Sequence, residues 1–274
     1  MSTLAQPALA RSSHIDASSR GLSTTGILRS EWIKLRSLRS TWWSFGIIVA
    51  IQIGMAVLFS LTATDRFGEI SGAQATDAAV SVTSVGLIFG QLVIAVLGVL
   101  VISGEYATGQ IRSSFMAVPS RLPVLAAKAI VFSIATFVVT LVSIVVAYFV
   151  TMPILAGAGV QANPFDGTLW LHFIGAAGFL VMIGLVSLGI GATLRSTPGG
   201  IAASLGLLLV APTILVVIPA AWANTLAGWT PSSAGQGLYY WGGTFEPWQA
   251  LLVMLGWVAV FITTAAVLMK RRDA

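Results

Sequence analysis

The sequence contains no cysteine. Disulfides, thiolate metal sites and cysteine nucleophiles are thereby excluded. Histidine is almost absent too: His14 lies in a polar leader and His172 at a helix edge, so a metal site built on histidines is not expected. Charge is scarce. Asp, Glu, Lys and Arg make up 8% of the 274 residues, against roughly 25% in a soluble domain. Such a chain cannot cover a water-facing surface, and its apolar residues must face lipid. No ionisable residue lies in the middle of any apolar block, where Gln52 and Gln91 are the most polar groups. Proton-driven transporters usually need intramembrane carboxylates or histidines, which weighs against a secondary transporter. Ordinary catalysis lacks an intramembrane acid/base pair or a histidine near a nucleophile. Gly104 and Gly109 have the G-x-x-x-x-G spacing of a phosphate loop. Gln110 and Ile111 stand where Lys and Ser/Thr are required. The chain is therefore expected to be no enzyme, to hydrolyse no ATP and to carry no cofactor or metal of its own.

What is present is apolar sequence, 57% of the chain. It falls in six blocks, at about 42–63, 80–102, 129–151, 171–194, 201–221 and 248–269. Each has about 20 or more residues, enough to cross a ~30 Å hydrocarbon core as a helix. Only helices and closed barrels satisfy their backbone in lipid, and the alternation of a barrel strand is absent. The fold class is an all-α integral membrane protein with six transmembrane helices. Residues 1–26, rich in Ser, Thr and Ala, read as a disordered leader, and 27–274 as one membrane domain. The first block is longer than the ~7–15-residue apolar region of a signal peptide and is expected to be retained.

Orientation follows from the basic residues. In a six-span arrangement, all of the 14 Lys and Arg residues except Arg66 fall on one side. That side is assigned to the cytoplasm, and both termini with it. Asp65, Glu69, Asp77, Asp166 and Glu246 join Arg66 on the other. Trp42 and Trp43 would mark the inner interface, and Trp170, Trp222 and Trp248 the outer one.

Two segments stand out. Residues 27–42, ILRSEWIKLRSLRSTW, place Leu28, Trp32, Leu35, Leu38 and Trp42 on one helical side, with Arg29, Lys34 and Arg36 away from it. This predicts an amphipathic helix, 27–41, lying in the membrane surface on Trp32, Lys34, Arg36 and Arg39. Arg39 lands near the apolar side and would have to snorkel. A basic flank that merely sets orientation is the alternative. After the second block comes GEYATGQIRSSFMAVPSRLP. Glu105, Gly109 and Arg112 are four and then three apart, so they would share one helix face, and Pro119 and Pro123 turn the chain before it re-enters at Lys128. On these residues alone, a docking helix and an ordinary loop both remain open. Gly86 and Gly90 form a GxxxG pair that would allow close helix approach.

The segment GEYATGQIRSSF resembles the G-E-x-x-x-G-T-x-R stretch of ABC-2 type permeases, with Gln110 in place of the family's frequent Thr. LRSEWIKLRSLRSTWW resembles the start of actinobacterial members, and the likeness extends to WTPSSAGQGLYYW between the last two spans. The resemblance implies a transmembrane subunit that pairs with a second permease subunit and with a separate ABC ATPase, which carries the ATP and Mg. It implies that Glu105, Tyr106, Gly109 and Arg112 belong to a cytoplasmic coupling helix touching that ATPase. It makes 27–41 the connecting helix and the outer segment 222–247, with Trp229, Tyr239, Tyr240 and Trp241, partly re-entrant. The expected function is ATP-driven transport, as an exporter of apolar or amphipathic cargo, in a bacterial plasma membrane. Membrane lipids are expected partners and nucleic acid is not. An ATPase-independent channel or secondary transporter, or a membrane scaffold for a cytoplasmic regulator, are the alternatives.

Overall fold

A computed structural model describes residues 23–110, 122–241 and 243–271. Helix α1 (Thr24–Ser37) ends at Leu38, whose extended backbone breaks it from α2 (Arg39–Ser60). A short α3 (Ala63–Phe67), strand β1 (Ile70–Ser71) and α4 (Ala73–Ser84) lead to α5 (Leu87–Ala107). Beyond the next segment run α6 (Leu122–Gly157), β2 (Val160–Gln161) and α7 (Gly167–Leu194). Then follow α8 (Thr197–Leu205), a π-helical turn (Gly206–Val210) and α9 (Ala211–Val217). Helices α10 (Ala221–Trp229) and α11 (Pro231–Gln236) precede the last, α12 (Pro247–Arg271). Among the described residues, six stretches are long and apolar enough to cross a membrane: α2, α5, α6, α7, the α8–α9 run and α12. The protein is an all-α integral membrane protein.

Helix α7 is the central post, packed on α5, α6 and α12. Its crossing with α5 is close because glycines meet there. A Cβ on Gly98 would come within 2.5 Å of the Gly184 carbonyl oxygen, and one on Gly191 within 3.1 Å of Val99 Cα. Van der Waals packing at such close approach holds membrane helices together where no hydrophobic force acts between them. Of the GxxxG pair, Gly86 does pack tightly, with a Cβ there reaching 2.6 Å from Gln52 Cα. Gly90 meets only Leu180, at an ordinary 3.5 Å.

The two mid-block glutamines repair or fasten backbone. The helix ladder is interrupted between α4 and α5, and Gln52 Nε2 donates to the Thr83 carbonyl there. Block two, expected to begin at 80, is thus split at Val85–Gly86. Gln91 accepts from Ser232 Oγ at 2.8 Å, tying α11 to α5. Segment 222–247 is largely helical, with α11 packed against α7 and α12. The π turn precedes Pro212, which has no N–H to return to the Leu208 carbonyl and whose ring crowds that turn. Helix α6 runs for 36 residues, about 54 Å at 1.5 Å per residue, well beyond a ~30 Å core. It starts earlier than the block at 129, with Pro123 tolerated in its first turn. Lys128, expected at the re-entry point, lies inside this helix.

Candidate functional site

The C-terminal turn of α5 gathers three neighbours. Glu105 on that turn is 7% exposed. Its Oε1 accepts from Lys128 Nζ of α6 at 2.9 Å and lies 3.1 Å from Lys34 Nζ of α1. Both lysines also reach Glu31 of α1: Lys128 donates to Oε2 at 2.6 Å and Lys34 to Oε1 at 2.7 Å. Two carboxylates and two ammonium groups alternate in a closed quartet of zero net charge. Glu31 and Lys128 are 3% and 4% exposed. Buried charges are tolerable only when paired and hydrogen-bonded, and this pairing is complete save for Glu105 Oε2, buried without a hydrogen-bond partner among the described residues. At Lys34, burial alone would lower the pKa. The hydrogen bond and charge of Glu31, with Glu105 behind it, outweigh burial and raise it above the usual lysine value.

The same turn is fastened on its other side. The Arg195 guanidinium sits over the Tyr106 ring, 5.2 Å from its centroid, a cation–π distance. Arg195 closes α7 in left-handed backbone, φ 53°, its N–H bonded to the Gly191 carbonyl. Ser196 then caps α8, and Thr197 Oγ1 donates to Ser103 Oγ of α5 at 2.8 Å. The last turn of α5 thus joins α1, α6 and the α7–α8 corner.

The opposite end carries a second polar region. Strands β1 and β2 pair in parallel, Ile70 beside Val160. Asp166 caps α7 through the Thr168 N–H and accepts from Thr76 Oγ1, both at 2.9 Å. Hydrogen bonds from Thr168 and Thr76 hold its carboxyl below the usual range. His172 Nδ1 lies 2.9 Å from the Tyr239 carbonyl, and its ring 4.0 Å from that of Trp241. With Arg66 and Asp77, the residues His172, Tyr239 and Trp241 line a cavity of about 410 Å³. No cluster able to hold a metal occurs among the described residues.

The family model described as ABC-2 family transporter protein matches residues 27–210, from α1 to the end of the π turn. The chain belongs to the ABC-2 transporter family. A search of curated proteins gives no match. As an ABC-2 member with six membrane-capable helices, it is a multi-pass membrane protein and the permease component of an ABC transporter, a family of transport subunits that work with an ABC ATPase.

The residues singled out in this permease by sequence fall into three groups. Glu105 and Tyr106 sit on the α5 turn, but their side chains face the protein's own helices. Gly109 does not continue that face. Helix α5 ends at Ala107, and Gly109 takes φ 72°, a left-handed turn that favours glycine. The helix face expected to carry Glu105, Gly109 and Arg112 together is therefore broken before Arg112, which lies outside the described residues. On α1, Trp32 and Arg36 are exposed. Lys34, expected to point to headgroups, is instead in the quartet. Arg39 is exposed at the first position of α2, because the bend at Leu38 ends the surface helix at Ser37 rather than 41. That bend explains why Arg39 did not fit the amphipathic pattern. Glu31 and Lys128 were not singled out. The signals were there: Glu31 stands three residues before Lys34, and Lys128 is a lone cation among apolar neighbours.

Proposed function

We propose that this permease is the membrane half of an ATP-driven exporter of apolar or amphipathic cargo in a bacterial plasma membrane. Both termini face the cytoplasm, and a second permease subunit completes the pathway. ATP and Mg belong to the ATPase partner. The observation that carries the reading is the α5 turn, bound at once to α1, α6 and the α7–α8 corner. The segment just past Gly109, with Arg112, would receive the partner's movement. Glu105 and Tyr106 would then act as positioning residues, passing a displacement of that segment to the other helices. Differential contacts in two states are what allow ATP binding to shift the helices between inward and outward access. The scarcity of charge along the spans favours apolar or amphipathic cargo such as lipids, peptides or drug-like compounds.

The test compares Glu105→Ala and Arg112→Ala with Arg121→Ala in the assembled transporter. The first two are expected to insert normally but to weaken ATPase association or to uncouple ATP turnover from transport. Losing one partner of a desolvated ion pair costs about 2–5 kcal/mol, and a hydrated one under about 1 kcal/mol. If all three variants keep wild-type association and transport, the coupling role fails.

A further inference from the structure

Among the described residues, left-handed backbone occurs at Gly68, Gly72, Gly109 and Gly159, and at one residue that is not glycine, Arg195, with φ 53°. A side chain there crowds its Cβ against the following carbonyl oxygen, a cost that glycine does not carry. Such conformations persist where the surrounding structure holds them, and they gather at switch regions. The turn itself does not call for arginine. Its bond, from the Arg195 N–H to the Gly191 carbonyl, is made by backbone. What the arginine adds is a guanidinium 5.2 Å from the centre of the Tyr106 ring, on the last turn of α5.

The corner that Arg195 closes is also the root of the α8–α9 run, the fifth of the six spans. Just past it, Thr197 bonds to Ser103 of α5. A Cβ on Gly200 would come within 2.7 Å of Val99 Cγ1, again on α5. Gly200 and Ser204 of α8 are buried. Further out the packing thins: Leu208 is buried in the π turn, and no residue of α9 is. Val217, at the end of α9, is 76% exposed. The span is thus seated on α5 at its root and exposed toward its far end. The direction of the root decides where the far end lies.

We infer that Arg195 is a positioning residue through which the fifth span follows the last turn of α5. The inference rests on the coupling role proposed for that turn. A displacement of the turn carries the Tyr106 ring, and the guanidinium over that ring draws the α7–α8 corner with it. The left-handed backbone sets the direction in which the guanidinium leaves the end of α7. The Thr197–Ser103 bond lies one turn further back along α5 and fixes the seat of α8. The ring contact lies nearer the end of α5, where the displacement enters. Glycine at 195 would make the same turn at lower cost and leave this link unmade, so the turn and the link can be separated by one substitution.

The test uses the full-length permease assembled with its ABC ATPase in nanodiscs, with Val217→Cys as a thiol probe at the exposed end of α9. Trapping with ATP and vanadate should change the rate of maleimide labelling at this probe by about fivefold. Arg195→Gly should abolish that change while ATPase association and melting temperature hold, because relief of the backbone offsets the lost ring contact. Arg195→Ala keeps the strained turn, and should lower the melting temperature as well as abolish the response. Arg195→Lys keeps a cation without the planar group and should restore part of the response. Tyr106→Leu should abolish it as Arg195→Gly does, and the two together should do no more than either alone. A parent that does not respond, or an Arg195→Gly variant that responds like the parent, would overturn the inference. Glu105→Ala separates the two claims. A response lost there but kept in Arg195→Gly sinks only the role of Arg195, and a response kept in both sinks the coupling reading as well.

Discussion

Lys128 donates to two carboxylates at once, one from α1 and one from α5. Removing it leaves Glu31 with Lys34 alone and Glu105 with the more distant of its two cations. Breaking a buried pair by deleting one member costs about 3–5 kcal/mol, because a charge is stranded, whereas removing charges in matched pairs can be nearly neutral. Lys128→Met should therefore lower the melting temperature in detergent, and Lys128→Met with Glu31→Gln should recover part of the loss. Unchanged melting of the single variant would deny the quartet a structural role. The pH dependence has a definite sign. A raised lysine pKa stabilises fully below the ordinary value of 10.5 and is lost as pH rises through the folded value. Lys34 should thus contribute steadily through neutral pH and release α1 only in strong alkali, read as the onset of protease cleavage near Ser37. Pattern reading brought Glu105 and Lys34 forward as polar residues beside the membrane. It could not pair them with each other, since a helical period relates residues three or four apart, whereas Glu105 meets Lys34 of another helix and Lys128 23 residues further on.

The long elements were legible in sequence because their length and apolarity follow from the thickness of a bilayer. Their irregularities were not. The break at Leu38, the interruption before α5 and the π turn before Pro212 are settled by packing and by single backbone donors, which hydropathy averages away. The α5–α7 crossing shows the same limit. The GxxxG spacing pointed to Gly86 and Gly90, while the closest approach lies at Gly98 and Gly184, on different helices. Gly98→Leu places a side chain against the Gly184 carbonyl, where backbone must move. Overpacking of this kind costs about 1–3 kcal/mol or more. The expected result is a lower melting temperature, with the same change at Gly104, where a Cβ meets nothing within 4 Å, close to neutral. Equal melting of the two variants would argue against a tight α5–α7 seam.

At the scale of the molecule, the two ends differ in kind. One holds alternating charges locked among helices, and the other a short parallel strand pair, a histidine and an aromatic rim. The proposed orientation puts the first in the cytoplasm. The absence of native cysteine makes it directly testable, since any single introduced cysteine is the only reactive thiol. Cysteines beside Arg36, Arg195 and Arg271 should be labelled by impermeant maleimide only after the cells are opened. Those beside Glu69, Asp166 and Gln236 should react on intact cells. One exchange between the groups would break the arrangement of six spans with inside termini.

The quartet also imposes an order in time. Glu31 and Lys34 leave the ribosome early, yet Lys128 follows Glu31 by 97 residues. At about 5–20 residues per second, that is roughly 5–20 s of synthesis. During this interval Glu31 has only Lys34 of its own helix for a partner, and α1 lacks its tie to α6 while α2 and α5 enter the bilayer. Only when α6 emerges can α1 take its final place, and it becomes one of the later parts of the bundle to close.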